Sequence, residues 1–402
     1  MATHSPALGP GRLCLAAAAT LGLAFLVLLT AGGSVDTLTT DARHRALALG
    51  ALPAAFNPGA QAPDLGVNVF LEQEVEPAKR RATLRAVKDA GATYIRQQIP
   101  WEQIEPVAKG SFVDRVIGVD TWQKFDDIMV AAEEAGLRVL LRLDTSPPWA
   151  LTPGAPDGLG PPLRNEDFWD YVELVARRYR GRVAAYQVWN EPNLMIEWGQ
   201  RPPDPVAYAA LLRGAADRIR AADPGVPVVL AALAPTLTDD AQARTELRYL
   251  QQLYDAGARN SFDVAAVQAY GLRGGPDDPR TGSEDVTFSR ASLVYEVMRR
   301  NGDGAKPVWA TEAGWNAAPE ALQPNPYGRV SSTLQARYTL RALERVRTEW
   351  PWLRQVYVWF FKRADDSEQG QAWYWFSLAD ARFQVRPVYR ALVDRASGMA
   401  AP

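Results

Sequence analysis

Two stretches decide the fold: AAYQVWNEPN at residues 184–193 and PVWATEAGW at residues 307–315. Each begins as an apolar run and ends in a carboxylate, Glu191 in the first and Glu312 in the second. Apolar runs of this kind are typical of parallel strands that helices cover on both faces. Burying a charge at the end of such a run costs free energy unless the charge is paired or takes part in function. We therefore expect a parallel sheet with two functional carboxylates at its carboxyl edge.

The same pattern recurs along the chain from residue 65 onward, and an amphipathic helical pattern follows each run. The predicted strands are residues 65–71, 93–100, 138–144, 183–189, 228–234, 262–270, 307–312 and 355–361. Eight strand–helix units predict an α/β fold closed as a (β/α)8 barrel, also called a TIM barrel. A doubly wound open sheet is the alternative, and it is weakened because no Gly-rich phosphate fingerprint follows the first strand.

Functional side chains of such barrels lie at the carboxyl ends of the strands. In this sequence the predicted strand ends carry three carboxylates, an arginine, amides, a phenylalanine, a tyrosine and indoles. These residues are Asn68, Phe70, Arg96, Asp144, Trp149, Asn190, Glu191, Gln268, Tyr270, Glu312 and Trp359. Their convergence predicts a site whose chemistry rests on carboxylates.

Composition excludes several other chemistries. Cys14 is the only cysteine and precedes the predicted barrel, so thiolate catalysis is not expected. The two histidines, His4 and His44, also precede the barrel, so a His-based triad and an ordinary zinc site are not expected either. The net charge is -2 and no basic stripe is visible, which argues against a nucleic-acid partner. We predict no cofactor and no metal. The 13 tryptophans and 14 tyrosines suit either core filling or stacking on sugar rings.

WNEPN at residues 189–193 and TEAGW at residues 311–315 resemble the retaining glycosidase clan of (β/α)8 barrels. Family 5 cellulase-like and family 39 xylosidase-like enzymes are the nearest types. Two further regions are similar to the same clan. One runs from PWEQIEPVAKGSF (residues 100–112) through the third strand, and the other is WFSLADARFQVRPVYRAL (residues 375–392). The resemblance covers the chain from about residue 65.

The resemblance implies a role for each matching residue. Glu191 would be the acid/base and Glu312 the nucleophile of a double displacement. Asn190 would hydrogen-bond the sugar 2-hydroxyl, while Tyr270 and Arg96 would hold the nucleophile. Trp359 would form the floor of the catalytic subsite. Clan members often carry histidines at the ends of strands three and six, where this chain has Asp144 and Gln268, which leaves the substrate class open.

Other aromatic and acidic residues have two possible roles. Trp101, Trp149 and Trp315 lie just beyond strand ends and either line a sugar subsite or pack. Trp373, Tyr374 and Trp375 are either cleft wall or packing, whereas Trp122, Trp169 and Trp350 fall on helices and are expected in the core. Glu102 and Glu105 are expected to brace a loop.

The N-terminal region predicts a membrane segment. Residues 13–31 carry no charge over nineteen positions, enough for a helix to cross a bilayer. Arg12 precedes the run and Asp36 follows it, which places the N-terminus inside and the rest of the chain outside. We expect residues 1–33 to be a short stub plus a transmembrane anchor, 34–63 a linker and 64–402 the catalytic domain. A cleaved signal peptide, and hence secretion, is the alternative.

The sequence thus predicts a membrane-tethered glycoside hydrolase that cleaves an extracytoplasmic poly- or oligosaccharide with retention. A catalytically weak carbohydrate-binding barrel, or a transglycosidase that assists polysaccharide assembly, is the alternative. The sequence does not determine the sugar, the linkage, endo or exo action, or the oligomeric state.

Overall fold

The computed structural model describes residues 63–151, 159–282 and 285–399. The strands in this part of the chain are β1 Asp64–Val69, β2 Tyr94–Pro100, β3 Arg138–Asp144, β4 Ala185–Val188, β5 Val228–Val229, β6 Ala265–Tyr270, β7 Val308–Gly314 and β8 Leu353–Val358. The α-helices are α1 Pro77–Asp89, α2 Trp101–Ile104, α3 Trp122–Glu134, α4 Asn165–Arg178, α5 Pro205–Ala222, α6 Glu246–Asp255, α7 Ala291–Arg300, α8 Ser332–Glu349 and α9 Pro387–Ala396.

The strands form one parallel sheet in the order β5-β4-β3-β2-β1-β8-β7-β6. Parallel bridges Val229↔Val264 and Leu233↔Val267 join the two edge strands and close the barrel. The predicted (β/α)8 barrel is therefore confirmed. The fifth strand is much shorter than the predicted run 228–234, because only its first two residues pair regularly with β4.

The helices cover the outside of the barrel as the apolar periodicity predicted. Trp122 on α3 is buried, Trp169 on α4 is partly buried, and Trp350 is buried just after α8, so all three contribute to the core. The same outer core holds alternate residues of the strands, such as Ile95 of β2 and Leu141 of β3. Burial of this layer against the helices supplies most of the hydrophobic stabilisation.

The inside of the barrel holds a second apolar cluster, made from the other residues of the same strands. It comprises Tyr94, Leu140, Ala185, Val229, Ala232, Val264, Ala266, Trp309 and Tyr357. The ring of Tyr357 fills the space beside Gly66, where an added Cβ would lie only 2.2 Å from the ring. This packed layer closes the lower barrel, so the polar residues that follow on each strand lie above it, at the carboxyl end.

A β-bulge in β7 changes which way that strand's side chains point. Val267 of β6 pairs with Ala310, but the next residue, Gln268, pairs with Glu312, so Thr311 is extra. Trp309 faces the barrel interior and Ala310 the helices. Strict alternation would then turn Glu312 outward towards the helices. The extra residue reverses the alternation, and Glu312 points into the barrel.

The predicted anchor and linker, residues 1–33 and 34–63, lie almost wholly outside the described residues. Within the described part of the chain, no helix combines the length and the apolar character that a membrane crossing needs. The transmembrane helix therefore stays a prediction.

Candidate active site

Glu312 lies at the carboxyl end of β7 with two donors on its carboxylate. Arg96 Nη1 donates to Oε1 at 2.8 Å, and the Tyr270 hydroxyl donates to Oε2 at 2.7 Å. Glu312 and Arg96 are each 3% exposed. Burial, followed by the charge of Glu312, raises the pKa of Tyr270 well above its usual value, so its hydroxyl stays a donor. Both oxygens of Glu312 are thus held in fixed positions at the top of the barrel.

Arg96 connects Glu312 to the opposite side of the barrel. Its Nε donates to Gln187 Oε1 at 2.7 Å, and its Nη2 donates to Asn190 Oδ1 at 3.2 Å. Nη1 also donates to Asn68 Oδ1 at 3.0 Å. A guanidinium with several bonds in a fixed fork orients its partners well. Because Arg96 holds the Asn190 oxygen, the amide nitrogen of Asn190 is the end left for a ligand.

Glu191 follows β4 on a turn with an unusual backbone. Trp189 has φ 73° and Glu191 has φ 41°, both in the left-handed region that residues other than glycine seldom adopt. Such conformations persist only where the surrounding structure enforces them, and they cluster at functional sites. Here the backbone N–H of Glu191 donates to Ala232 O at 3.1 Å, which fixes the turn on the neighbouring strand region.

The Glu191 carboxyl has a different environment from that of Glu312. The Gln268 amide donates to its Oε1. Burial, and next the negative charge of Glu312, raise the pKa of Glu191 to about 7. The Gln268 hydrogen bond and the charges of Arg142 and Arg96 act in the opposite direction. The two carboxyl groups are therefore unequal, as an acid and a nucleophile need to be.

Adjacent inward side chains of β6 hold the two carboxyl groups. Gln268 contacts Glu191, and Tyr270, two residues further along, contacts Glu312. Residues two apart on a strand are separated by roughly 6.6 Å at Cα and point to the same face. The two glutamates therefore share one small mouth, facing each other across the ends of β4 and β7.

Two ionisable residues in the mouth were not among the predicted site residues. Arg142, on β3, forms an ion pair with Asp144 (Nε to Oδ2, 2.8 Å), and its charge acts on Glu191 and Glu312. Glu197 lies in the 3-10 turn Ile196–Trp198 after β4 and is 5% exposed. The period-two pattern of β3, which turns Leu140, Arg142 and Asp144 to one face, could have identified Arg142. No sequence pattern pointed to Glu197.

The predicted aromatic residues separate into two groups. Trp359 lies in the mouth beside Phe70, with ring centroids 5.6 Å apart, in an aromatic cluster with Tyr270. Trp149 is only partly buried; its indole N–H donates to Glu105 O at 2.7 Å, and its ring meets the edge of Trp101. Trp101 is completely buried. Trp359 and Trp149 therefore keep their predicted role as possible sugar contacts, whereas Trp101 packs.

Trp315 requires a correction. It is 1% exposed, its ring packs against Phe288 and Tyr338 on the helix side of β7, and its N–H donates to Gly274 O at 2.7 Å. The expectation that Trp315 lines a sugar subsite is wrong, because the residue lies on the outer side of the strand. Its ring also fits against Gly271, where a Cβ would come within 2.0 Å of it.

The remaining predicted loop residues have structural partners. Glu105 accepts from the Trp101 indole at 2.7 Å and from the Gly110 backbone, so it braces the loop after β2 as expected. Tyr374 is buried, whereas Trp373 and Trp375 are partly exposed beside it.

Within the described residues, no group of three or more His, Cys, Asp or Glu side chains is arranged to hold a metal ion.

Comparison with known families relates the first part of the barrel to glycoside hydrolases. Residues 61–247, just under half of the chain, match the family model Cellulase (glycosyl hydrolase family 5). No curated protein gives a significant match.

Several solved structures share the fold. A family 39 glycoside hydrolase from Bacteroides cellulosilyticus WH2 has TM-score 0.63 and 22% identity over 84% of this chain and 64% of its own. For the GH39 enzyme from Xanthomonas axonopodis pv. citri the TM-score is 0.61 and the identity 18%, over 85% and 69% of the two chains. GH5_18 from Streptomyces cattleya, solved as a single-residue variant in complex with Manb1-4GlcNAc, has TM-score 0.61 and 19% identity over 85% and 83%. These matches confirm the predicted resemblance to family 5 and family 39 glycoside hydrolases.

Proposed function

We propose that this protein is a retaining glycoside hydrolase, with Glu191 as the acid/base and Glu312 as the nucleophile. The observation that carries the proposal is the unequal environment of the two carboxyl groups. Glu312 accepts from a guanidinium and a phenol, whereas Glu191 accepts from a neutral amide and has a pKa near 7. A retaining enzyme needs one carboxyl charged and one protonated at the start of the reaction.

The first step forms a bond between Glu312 and the anomeric carbon. As the Glu312 oxygen attacks, Glu191 gives its proton to the departing glycosidic oxygen, so the leaving sugar departs as a neutral alcohol. Arg96 and Tyr270 keep the attacking carboxylate in place, so that its oxygen is already oriented towards the anomeric carbon when the sugar binds. Trp359 offers an apolar face to the sugar ring in the same subsite.

In the second step a water molecule attacks the glycosyl-enzyme. Glu191, now ionised, removes a proton from this water, and the bond to Glu312 breaks. Two inversions give a product with the configuration of the substrate. Arg96 bonds both the Asn190 oxygen and Glu312, so the Asn190 amide nitrogen is available for a hydrogen bond to the sugar 2-hydroxyl.

The purified full chain is expected to hydrolyse oligosaccharides and aryl glycosides, and the first-formed product should keep the anomeric configuration of the substrate by NMR. Because Glu191 must be protonated, kcat/KM should be highest below pH 7 and fall as pH rises through about 7. Gln268→Leu removes a hydrogen bond that lowers the pKa of Glu191, so this alkaline limb should move to higher pH.

Gln98→Leu is the matched control for that shift, because the Gln98 amide donates to Asp144 instead, at 2.6 Å. It should leave the alkaline limb in place. The roles assigned to the two glutamates would be contradicted by a first product of inverted configuration. They would also be contradicted by an alkaline limb of kcat/KM that stays at the same pH in Gln268→Leu.

We also propose that the barrel is tethered outside the cytoplasmic membrane and acts on polysaccharide that passes close to it. The uncharged run 13–31, with Arg12 before it and Asp36 after it, supports an uncleaved anchor. Full-length protein should stay in the membrane fraction after a carbonate wash and keep its genuine N-terminus. Protease added to spheroplasts should reach the barrel. Recovery of a soluble form that begins near Ser34 would replace the anchor by an export signal.

A further inference from the structure

Glu197 is a buried carboxyl that the proposed reaction does not use. It lies six residues after Glu191, in the 3-10 turn Ile196–Trp198, and is 5% exposed. Among the residues that the structure describes, its Oε1 is buried and has no hydrogen-bond partner. A buried polar group without a partner destabilises the fold by roughly its desolvation penalty. Such a group in an active-site mouth is a candidate for contact with a ligand.

The other two residues of the 3-10 turn pack on apolar and aromatic neighbours. Three successive residues of a 3-10 turn point in three directions, about 120° apart. Ile196 packs on the small apolar cluster of Leu194, Ala234 and Ala243. Trp198 packs edge-to-face on Trp189 at 5.9 Å and on Tyr208 at 6.2 Å. Glu197 takes the remaining direction.

The charges that act most strongly on Glu197 belong to groups of the mouth. They are the carboxyl groups of Glu191, Asp144 and Glu312 and the guanidinium of Arg142. Burial, followed by the charge of Glu191, raises the pKa of Glu197 well above its usual value. This direction favours the protonated form, which has one O–H donor and keeps acceptor capacity, and this matches the two-way hydrogen bonding of a sugar hydroxyl. The neutral form also avoids repulsion with Glu191.

We infer that Glu197 hydrogen-bonds a hydroxyl of the sugar on the leaving-group side of the scissile bond. The inference rests on the proposed function, because Glu191 protonates the leaving oxygen and groups beside Glu191 therefore flank the departing sugar. The ligand class is a neutral, hydroxyl-bearing sugar residue. Glu197 then favours oligosaccharide leaving groups over aryl alcohols and helps to bind sugar acceptors when the reaction runs towards transfer.

The test compares two substrates with the same reacting sugar in full-length protein. One carries a sugar leaving group and the other a nitrophenyl group, which has no hydroxyl for Glu197. The ratio of kcat/KM for the first substrate to that for the second should fall about tenfold in Glu197→Leu, which corresponds to about 1.4 kcal/mol. Glu197→Gln, which keeps a neutral donor and acceptor, should recover most of the ratio.

A second measurement follows transfer. Added sugar acceptor competes with water for the glycosyl-enzyme, and half-maximal transfer should require about tenfold more acceptor in Glu197→Leu. If the Leu variant does not fold, as judged by its thermal transition, Glu197→Asp keeps the acid but withdraws it by one methylene and should lower the ratio in the same direction. Equal losses on both substrates, with unchanged acceptor dependence, would overturn the inference. Failure of the proposed function itself would appear as no hydrolysis of either substrate by the unaltered protein.

Discussion

Glu312→Gln is expected to lower kcat/KM for every glycoside by roughly 10⁵–10⁶-fold, because loss of the nucleophile of a covalent mechanism costs up to about 10⁶-fold. The amide has nearly the same shape as the carboxylate but cannot form the glycosyl-enzyme. The fold should persist. The Gln amide can give its oxygen to Arg96 and its N–H to the Tyr270 hydroxyl, which can also accept, but buried Arg96 loses its ion pair with Glu312. That loss should reduce the free energy of unfolding by about 1–3 kcal/mol.

Glu105→Gln is the matched control for this change. Glu105 is buried and also accepts from two N–H donors, those of Trp101 and Gly110, but it braces a loop. The control should lose a similar amount of stability in denaturant unfolding and retain kcat/KM. If Glu312→Gln kept substantial turnover at a purity that excludes contaminating enzyme, Glu312 would not be the nucleophile.

Glu191→Ala is expected to separate the two steps of the reaction. Turnover of oligosaccharides, whose leaving groups need a proton, should fall by about 10²–10⁴-fold. An activated aryl glycoside needs little protonation, so it should still form the glycosyl-enzyme and give a burst of aryl alcohol. Breakdown should then be slow, because Glu191 no longer activates the attacking water.

Azide provides the decisive measurement on this variant. It is small, anionic and needs no general base, so it should speed breakdown and give a glycosyl azide of retained configuration. Mass spectrometry of the stalled protein should locate the sugar on Glu312. Azide rescue with a retained product in a Glu312 variant, instead of a Glu191 variant, would show that the two roles are reversed.

Much of the site follows from strand periodicity alone. Asn68, Arg96 and Tyr270 lie at inward positions near the carboxyl ends of apolar runs, and period two is a local property of any extended chain. Once eight parallel strands close a barrel, their inward residues near one end must converge. The sequence therefore predicted which side chains meet, and the hydrogen bonds of Arg96 to Asn68, Asn190 and Glu312 agree with this.

Interactions between strands and loops could not be predicted in the same way. Arg142 follows the same periodicity, yet its importance depends on the ring of carboxyl groups that other strands bring around it. Glu197 lies in a loop, where no repeat relates sequence position to direction. Trp315 and Trp359 both carry an indole. Trp315 is excluded from the mouth only because its side chain lies on the helix side of the strand.

The sequence by itself determined the barrel, the two carboxylates and the strand ends where they lie, because apolar runs, helix periodicity and charge at a buried strand end are local patterns. Only the tertiary structure decided that both carboxylates face inward. Glu312 does so through the bulge at Thr311, and Glu191 through the left-handed backbone at Trp189 and at Glu191 itself. A bulge or a strained turn is stable only when neighbouring strands supply the hydrogen bonds and packing that hold it. Those partners come from distant parts of the chain, so the local sequence does not contain the information.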